Sequence, residues 1–338
     1  LMTAIAAQAQ TFQVIHTFSG GGDGGFPNAG LTPDGAGNFY GTTTGGGPHE
    51  AGVVFSLSHL GSGWVLSPLH SFTGGQNDGR EPYSRAVIGP DGALYGNTSA
   101  GGPSDGGTIY RLTPPTSICR STLCSWTETV LHNFPDPLGT DGFYPYGDLA
   151  FDQVGNIYGT ASVGGSENPY GCYGEGCGVV YQMVRSQGSW TENIVHEFTG
   201  GSDGGVPYSG VLLDPAGNID GTACEGGSHG YGLALRISAS GWVESAIYNF
   251  QGYQDGMCPL GIILDQSGNL CGTSGNSGPY GDGAVYELSP ENGGWNFALL
   301  YRSLREMGPR PLSLETAQAI STAQRRRAAP TAMEPSSS

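Results

Sequence analysis

The chain has 338 residues, of which 61 are glycine and only 12% are charged, a composition typical of short strands joined by many tight turns rather than of a helical protein. Its formal net charge of −17 argues against nucleic acid as a partner, because an acidic surface repels phosphate backbones. No apolar run reaches the roughly 18 residues that a membrane helix needs, so we expect no membrane span.

The first ten residues, 1–10 (LMTAIAAQAQ), are similar to the end of a signal peptide with a small-residue cleavage site near Ala9. This segment predicts a secreted or cell-surface protein, and a disordered N-terminal end is the alternative interpretation. The chain also contains seven cysteines, which fit an oxidising compartment better than a reducing one. Both features favour export.

Two pairs of cysteines are close in sequence, Cys119 with Cys124 and Cys172 with Cys177. Each pair lies in an insertion relative to the other repeats, and we predict that each forms a disulfide that staples a long loop. Half a zinc site is the alternative, but no histidine stands beside either pair at ligand spacing, so we predict no metal there. Two of the remaining three cysteines can pair, because all three fall in consecutive repeats: Cys224, Cys258 and Cys271.

Internal repeats indicate the fold. Five segments align when the chain is cut before each tryptophan, and a sixth stops almost at once; they begin at Phe12, Trp64, Trp126, Trp190, Trp242 and Trp295. Each full unit has roughly 50 to 60 residues, the length of one four-stranded propeller blade with its loops. Glycine-rich sheets of this kind bury both faces only by packing against neighbours in a ring. The repeats therefore predict an all-β protein, a β-propeller of about five four-stranded blades.

Within the ring, the apolar strand 210–214 (GVLLD) and its equivalents are expected nearest the axis, and the strands that begin with tryptophan are expected outermost. The segment Phe12–Phe18 then becomes a spare outer strand that closes the ring, and an incomplete sixth blade is the alternative. In this interpretation 11–302 form a single propeller domain. The stretch 303–338, rich in Pro, Ala, Ser and Arg, forms a disordered tail.

A D-x-x-G-N motif joins the second and third strands of the units, as at Asp152–Asn156. Asp can bond the backbone downstream of it and Gly can adopt positive φ, so the motif predicts a tight hairpin turn rather than a metal site. A second motif, LH-F, places histidine at equivalent positions in four units, namely His16, His70, His132 and His196. Because the fifth unit carries Tyr248 there, we predict a packing or hydrogen-bonding role that histidine and tyrosine share, not proton transfer.

Several motifs recur in fixed order along the units: LH-F, GG-DG, P-Y, D-x-x-GN-YGT and G-VY-L. In this order they resemble the bacterial Gloeo/Verruco (GloVer) tandem repeat, and the resemblance covers roughly Phe12 to Tyr301. That family occurs in exported choice-of-anchor proteins, so the resemblance implies export and a repeat architecture, but no activity and no catalytic residue. The Tyr of YGT is replaced by Asp220 in the fourth unit and by Cys271 in the fifth, which predicts a weakened region of the ring.

Two sets of long glycine-rich loops are expected on one face of the ring, and loops carry function more often than strands. Each loop of the first set contains one Asp, and three of them are followed by a Tyr at the entrance to the innermost strand. The candidate ligand-binding residues are Asp23, Asp78, Asp141, Asp203, Asp255, Tyr83, Tyr146 and Tyr208. Carboxylates accept hydrogen bonds from hydroxyl groups and aromatic rings stack on apolar sugar faces, so these residues predict a glycan ligand. Two alternatives are Ca²⁺ at the acids and a purely structural role in which Asp caps the turn and Tyr packs between blades.

No catalytic residue can be named from the sequence. An H-E-x-x-H motif and a P-loop are both absent from it. A glycosidase needs two carboxylates at a defined separation, and nothing selects a pair among the non-repeating loop acids, which are Glu50, Glu81, Asp105, Glu167, Glu175 and Glu225. We therefore predict a monomeric extracellular binding or scaffold propeller without a cofactor, whose partner is a glycan or another protein. A carbohydrate-active enzyme and a structural surface repeat without a small ligand are the alternatives.

Overall fold

The computed structural model describes residues 12–115, 126–135, 140–165, 172–252, 254–276 and 283–302. Their regular structure is β apart from one 3₁₀ turn at Cys172–Gly174, and this part of the chain contains no α-helix. Nothing in it forms a helix that is long and apolar enough to cross a membrane. The prediction of an all-β protein is confirmed.

Five antiparallel sheets of four strands follow one another along the chain, and each sheet is one blade. Blade 1 consists of β1 (Thr32–Pro33), β2 (Phe39–Thr43), β3 (Val53–Leu60) and β4 (Gly63–Ser71). Two short strands then form a sheet of their own, β5 (Gly79–Arg80) with β8 (Ala100–Gly101). Blade 2 consists of β6 (Val87–Ile88), β7 (Leu94–Thr98), β9 (Thr108–Thr113) and β10 (Thr127–Asn133).

The remaining three blades repeat this arrangement. Blade 3 consists of β11 (Ala150–Phe151), β12 (Ile157–Ala161), β13 (Val179–Ser186) and β14 (Ser189–Glu197). Blade 4 consists of β15 (Leu212–Leu213), β16 (Ile219–Ala223), β17 (Leu233–Ile237) and β18 (Glu244–Asn249). Blade 5 consists of β19 (Met257–Leu264), β20 (Leu270–Asn276), β21 (Ala284–Glu291) and β22 (Gly294–Arg302).

In every blade the strands lie side by side in chain order, so the short apolar strand forms one edge and the strand with the tryptophan forms the other. Residues from the apolar edges of all five blades line one cavity. The apolar strands therefore surround a common axis and the tryptophan strands are outermost, as predicted. The fold is a five-bladed β-propeller.

The prediction of a spare outer strand at Phe12–Phe18 is wrong, because these residues form no strand. The segment pairs with no blade edge, yet Ile15 and Phe18 pack against the buried core of blade 1. Phe18 contacts Phe55 of blade 1, with 5.2 Å between the ring centroids. The alternative of an incomplete sixth blade is also wrong for the residues that the structure describes, since Trp295 lies in β22 of blade 5.

The glycine of the YGT motif lies opposite a large residue of the third strand. Gly96 is the register partner of Tyr110, and Gly159 is the partner of Tyr181. A Cβ atom on either glycine would overlap the tyrosine ring, which is fully buried. The motif therefore leaves room in four of the five blades for an aromatic side chain that fills the core, whereas in blade 4 the partner of Gly221 is Leu235.

The D-x-x-G-N segments are tight turns, as predicted. Oδ1 of Asp152 accepts the backbone N–H groups of Val154 and Asn156, at 3.0 and 2.8 Å, and Asn156 donates its amide to the other carboxylate oxygen at 2.8 Å. The same bonds occur around Asp34, Asp214 and Asp265. Because the turn satisfies both carboxylate oxygens, it needs no metal ion.

Disulfides connect loops of the ring. Cys172 and Cys177 form the predicted disulfide. Cys224 is bonded to Cys258, which links a loop of blade 4 to the start of blade 5. The predictions for 1–10, for Cys119 and Cys124, and for 303–338 lie outside the described residues.

Candidate functional site

A cavity of about 780 Å³ lies on the axis of the ring. Its wall is formed by the first strands of the blades and is largely apolar, with Val211, Leu212 and Ile262 among the lining residues. One ion pair crosses it, from Arg85 of blade 2 to Asp148 at the entrance to blade 3, at 2.6 Å. The volume falls within the range of roughly 300–1,000 Å³ that small-molecule sites occupy. The cavity is therefore large enough for a small ligand.

The three candidate tyrosines come together at this cavity. The ring of Tyr146 lies 5.1 Å from that of Tyr83 and 5.8 Å from that of Tyr208, measured between centroids. All three line the cavity, beside Asn28 and Leu260 at the equivalent positions of the other two blades. Tyr83 is 38% exposed and Tyr208 is 43% exposed, so their rings are accessible from solvent. We call Tyr83, Tyr146 and Tyr208 the tyrosine arc.

The central hydroxyl of the arc is a neutral donor over the physiological pH range. The pKa of Tyr146 is raised to about 12, mainly by burial and to a smaller extent by the neighbouring Tyr83, Tyr144, Tyr208 and Glu81. A phenol that stays protonated can donate one hydrogen bond and accept others. The arc therefore presents apolar ring faces together with uncharged polar groups.

A repeated backbone feature shapes the loops that carry the arc. In each loop the residue before the proline has a left-handed backbone, with φ between 50° and 59°: Phe26, Glu81, Tyr144, Val206 and Cys258. Glu81 donates its N–H to Ala51 of blade 1 at 2.9 Å, and its carbonyl accepts the N–H of Ser99 in blade 2 at 3.1 Å. These bonds hold an unfavourable conformation, which costs about 1–2 kcal/mol. They also fix each loop between two blades.

The loop aspartates lie beside the arc in sequence, but most of their carboxylates are bonded within their own loops. Asp78 accepts the N–H and the hydroxyl of Thr73, both at 2.8 Å. Asp23, Asp203 and Asp255 accept equivalent backbone N–H groups. Burial raises the pKa of Asp78, but the nearby His70 and the hydrogen bonds from Thr73 lower it by more, so the net shift is downward and the group is ionised.

Among the residues that the structure describes, the five loop carboxylates do not gather into one cluster. Asp141 accepts a hydrogen bond from the hydroxyl of the neighbouring Thr140 at 2.8 Å. A calcium ion in a ring of these acids thus has no preformed cage. Contact between these carboxylates and a ligand stays a prediction.

The non-repeating acids are spread over several loops. Arg80 brings two of them together, since it donates to Glu81 at 2.7 Å and to Asp105 at 2.6 Å, but neither acid lines the cavity. The other described acids of this group, Glu50, Glu175 and Glu225, do not line it either. Glu167 lies outside the described residues. No pair of carboxylates with the arrangement of a glycosidase is therefore assigned.

The histidines of the LH-F motif lie between blades, away from the cavity. His16 contacts Asp23 of its own loop at 3.1 Å, and Tyr248 donates to Asp255 in the same way at 2.6 Å. This confirms a role that histidine and tyrosine share. A glutamate on the neighbouring outer strand, which was not predicted, also contacts the histidine: in blade 3, Glu192 lies 3.5 Å from Nε2 of His132. In the sequence this glutamate is the third residue of the W-T-E and W-V-E segments, and its recurrence there could have indicated the contact.

The buried pair between blades 2 and 3 makes stability depend on pH. Burial raises the pKa of Glu192 to about 8, and the charge of Asp141 adds to this, while burial lowers the pKa of His132. A carboxyl whose pKa is raised by folding stabilises the protein fully below its unfolded pKa of about 4.5 and loses that contribution as pH rises towards 8. The histidine acts oppositely, losing its contribution as pH falls below about 6.5.

We therefore expect Glu192 to lower the free energy of unfolding by on the order of 2 kcal/mol between pH 6 and pH 9, and Glu192→Gln to make the decline shallower by that amount. A smaller decline remains, because burial also raises the pKa of Glu128 and of Glu244 to about 7. Urea denaturation at several pH values measures it. Glu291→Gln, at an exposed position of β21, is the matched control and should leave the decline unchanged. An equally steep decline in Glu192→Gln would contradict the assignment to this carboxyl.

Five repeat-built blades around a ligand-sized axial cavity define this protein as a tandem-repeat β-propeller. A family model described as the Gloeobacter/Verrucomicrobia repeat matches residues 2–173. Because the match covers just over half of the chain, the protein belongs to this repeat family, as its motifs predicted. No curated protein matches the chain.

Solved structures with similar architecture include an ulvan lyase of a polysaccharide lyase family, with a TM-score of 0.48 and 13% identity over 81% of this chain and 72% of that one. A chain of a nidogen/laminin complex has a TM-score of 0.47 and 14% identity over 78% and 75%. A protein of unknown function from Dyadobacter fermentans has a TM-score of 0.46 and 14% identity over 82% of each chain. All three TM-scores are below 0.5, so the fold is assigned from the five sheets described above and not from these similarities.

Proposed function

We propose that this protein is an extracellular binding propeller whose ligand, a glycan, docks on the tyrosine arc at the axial cavity. The proposal rests on one observation: three tyrosines from successive blades line one cavity of about 780 Å³, and the ring centroid of the central one, Tyr146, lies 5.1 and 5.8 Å from those of its two neighbours. Aromatic rings that are exposed side by side are suited to the apolar faces of consecutive sugar units.

Polar groups around the arc complement this surface. The phenol of Tyr146 stays protonated, the amide of Asn28 bonds Thr44 at 3.1 Å, and Arg85 with Asp148 forms an ion pair in the cavity wall. Such groups bond sugar hydroxyls and fix the orientation of a ligand. In this proposal the aspartates Asp23, Asp78, Asp141, Asp203 and Asp255 hold the loops in shape and offer their remaining lone pairs to the ligand.

Action outside the cytoplasm is part of the proposal. It is supported by the disulfides Cys172–Cys177 and Cys224–Cys258, because structural disulfides persist in oxidising compartments and are rare in reducing ones. A binding role rather than catalysis is supported by the cavity wall, whose one carboxylate, that of Asp148, is engaged by Arg85. A glycosidase would need a second carboxylate at a defined distance from the first.

The test begins with a panel of soluble oligosaccharides, and calorimetry then measures the affinity of each one that binds. Tyr146→Ala is expected to weaken binding roughly tenfold or more, because it removes one stacking surface and the centre of the arc. Tyr146→Phe keeps the ring and should retain most of the affinity. Trp242→Ala, which removes an aromatic side chain that is 36% exposed and outside the cavity, is the control for non-specific effects.

The outcomes separate the candidate functions. Binding that is insensitive to Tyr146→Ala would place the ligand elsewhere and refute the proposal. Release of reducing ends from a bound glycan, abolished in Glu81→Gln, would favour the carbohydrate-active enzyme instead. Failure of every oligosaccharide to bind would favour a protein partner or a structural repeat.

A further inference from the structure

A cluster of three metal-ligand side chains lies at the junction between blades 1 and 2, outside the axial cavity. His70 comes from β4, Asp78 from the loop that follows, and Glu128 from β10 of the next blade. Nε2 of His70 lies 3.5 Å from Oδ1 of Asp78 and 3.6 Å from Oε2 of Glu128, and the three ligand atoms all lie within 4.8 Å of one another. We propose that this cluster binds a divalent transition-metal ion, Zn²⁺ above all, which clamps blade 1 to blade 2.

The spacing fits a metal better than direct hydrogen bonds. Separations of 3.5 and 3.6 Å are at or beyond the limit of a hydrogen bond. In a tetrahedral zinc site with bonds of about 2.0–2.2 Å, two ligand atoms are about 3.3–3.5 Å apart. Two of the three ligand separations, those from His70 to Asp78 and to Glu128, are therefore already close to the required distance, and the two carboxylates lie within 4.8 Å of each other.

Charge and burial also favour an ion at this position. The side chains of Asp78 and Glu128 are only 11% and 13% exposed, and neither is paired with an arginine among the described residues. Oε1 of Glu128 is buried and has no hydrogen-bond partner in the part of the chain that the structure describes. Two carboxylates, a neutral imidazole and a divalent ion sum to zero charge, which removes the cost of burying unpaired charge.

The ligands are held in place by their surroundings. Oδ2 of Asp78 accepts both the N–H and the hydroxyl of Thr73, and Oδ1 accepts the N–H of Gly79 at 2.7 Å. The ring of His70 packs edge-on against buried Phe72, with 4.7 Å between centroids. Such contacts orient ligands before the metal arrives. One nitrogen and two oxygens suit Zn²⁺, whereas Ca²⁺ and Mg²⁺ require six or more oxygen ligands, which this cluster does not supply.

The junction between blades 4 and 5 shows how the same position is built without ligands. There Tyr248 replaces the histidine and Phe297 replaces the glutamate, and the two rings stack at 4.5 Å. Tyr248 also donates to Asp255 at 2.6 Å. At this junction both the histidine and the glutamate are absent, and aromatic packing closes it. The junction of blades 4 and 5 is therefore an example, within the same chain, of a blade junction that needs no metal ion.

Zinc binding is tested on the whole protein after dialysis against a chelator. Calorimetric titration with ZnCl₂ is expected to give one ion per chain with micromolar or tighter affinity, together with a rise in Tm, because an ion that binds only the folded state stabilises it. Co²⁺ in place of Zn²⁺ should produce the visible absorption bands of a tetrahedral site. The double variant His70→Tyr/Glu128→Phe copies the junction of blades 4 and 5 and should fold normally but bind Zn²⁺ at least 100-fold more weakly.

Two further variants make the result specific. Glu128→Gln keeps the shape of the side chain and should weaken binding, which separates loss of a ligand from loss of packing. Cys271→Ser disrupts the second cluster of ligand-type residues in the described part of the chain, Asp265, Cys271 and Glu287, and should leave the affinity unchanged. Absence of Zn²⁺ binding at millimolar concentration, or binding that survives the double variant, would overturn the proposal. The tyrosine arc plays no part in these measurements.

Discussion

Replacing Phe250 by alanine is expected to lower the free energy of unfolding by about 3–5 kcal/mol, the usual cost of removing a buried phenylalanine. Phe250 is fully buried at the junction of blades 4 and 5, and its ring lies edge-on against Tyr286, with 5.0 Å between centroids. It also contacts Tyr248 and Phe297. The variant would leave a cavity among rigid rings that cannot collapse to fill it.

Urea or guanidinium denaturation of both proteins measures this loss. The matched control is Phe12→Ala, because Phe12 is 72% exposed and its truncation should change the stability by less than about 0.5 kcal/mol. A loss below about 1 kcal/mol for Phe250→Ala would mean that the junction does not depend on this ring. The arrangement of the blades would then need another explanation.

A phenylalanine follows the outer strands of blades 1 to 4 at the same position, and this regularity explains how neighbouring blades hold together. The equivalents Phe72, Phe134 and Phe198 are also buried, and each packs against the third strand of the next blade or its core. Phe18 performs this task for blade 1, although its segment forms no strand. Side-chain packing therefore joins one blade to the next, in addition to the backbone hydrogen bonds that fix the loops between blades.

The sequence predicted the features that repeat. Strand order and blade number follow from local patterns that occur in five units, and the D-x-x-G-N turns follow from a motif that occurs in four of them. Each unit supports the interpretation of the others. The tyrosine arc was also predicted in part, because Tyr83, Tyr146 and Tyr208 occupy one position in three units. Repetition in sequence becomes proximity in space when the units surround an axis.

Features that arise between units were not predicted. The left-handed residues such as Glu81 and Tyr144 precede proline, a position at which local sterics disfavour that backbone, and only hydrogen bonds to two blades hold it. His70 and Glu128 are 58 positions apart, so no spacing rule connects them. The strand at Phe12–Phe18 was wrongly predicted because its pattern matched outer strands, while its place in the ring offers no strand to pair with.

Loss of the arginine at position 236 is expected to be comparably damaging. The side chain of Asp220 is only 1% exposed, and Arg236 contacts it with two parallel hydrogen bonds of 2.7 Å each. Burial raises the pKa of Asp220 even though Arg236 lowers it. Arg236→Met would leave a buried carboxyl without a counter-charge, and breaking a buried pair in this way costs about 3–5 kcal/mol.

The position of Asp220 makes a rescue variant available. Other units carry tyrosine there, and in blade 3 the hydroxyl of Tyr158 accepts a hydrogen bond from Gln182 at 2.6 Å. The double variant Asp220→Tyr/Arg236→Gln transfers this pair to blade 4 and should recover most of the stability that Arg236→Met loses. The loss in Arg236→Met should also shrink at low pH, since protonation removes the unpaired charge.

Denaturation at pH 5 and pH 8 tests both statements. Arg236 also lies over the ring of Trp295, at 5.4 Å, a contact worth about 0.5–1 kcal/mol that does not depend on the charge of Asp220. If the loss were the same at both pH values and within that range, the cation–π contact alone would account for it. A larger loss that is smaller at pH 5 than at pH 8 would show that Arg236 compensates for the aspartate at position 220. The sequence predicts a weak place in the ring there, because Asp220 stands where other units have tyrosine.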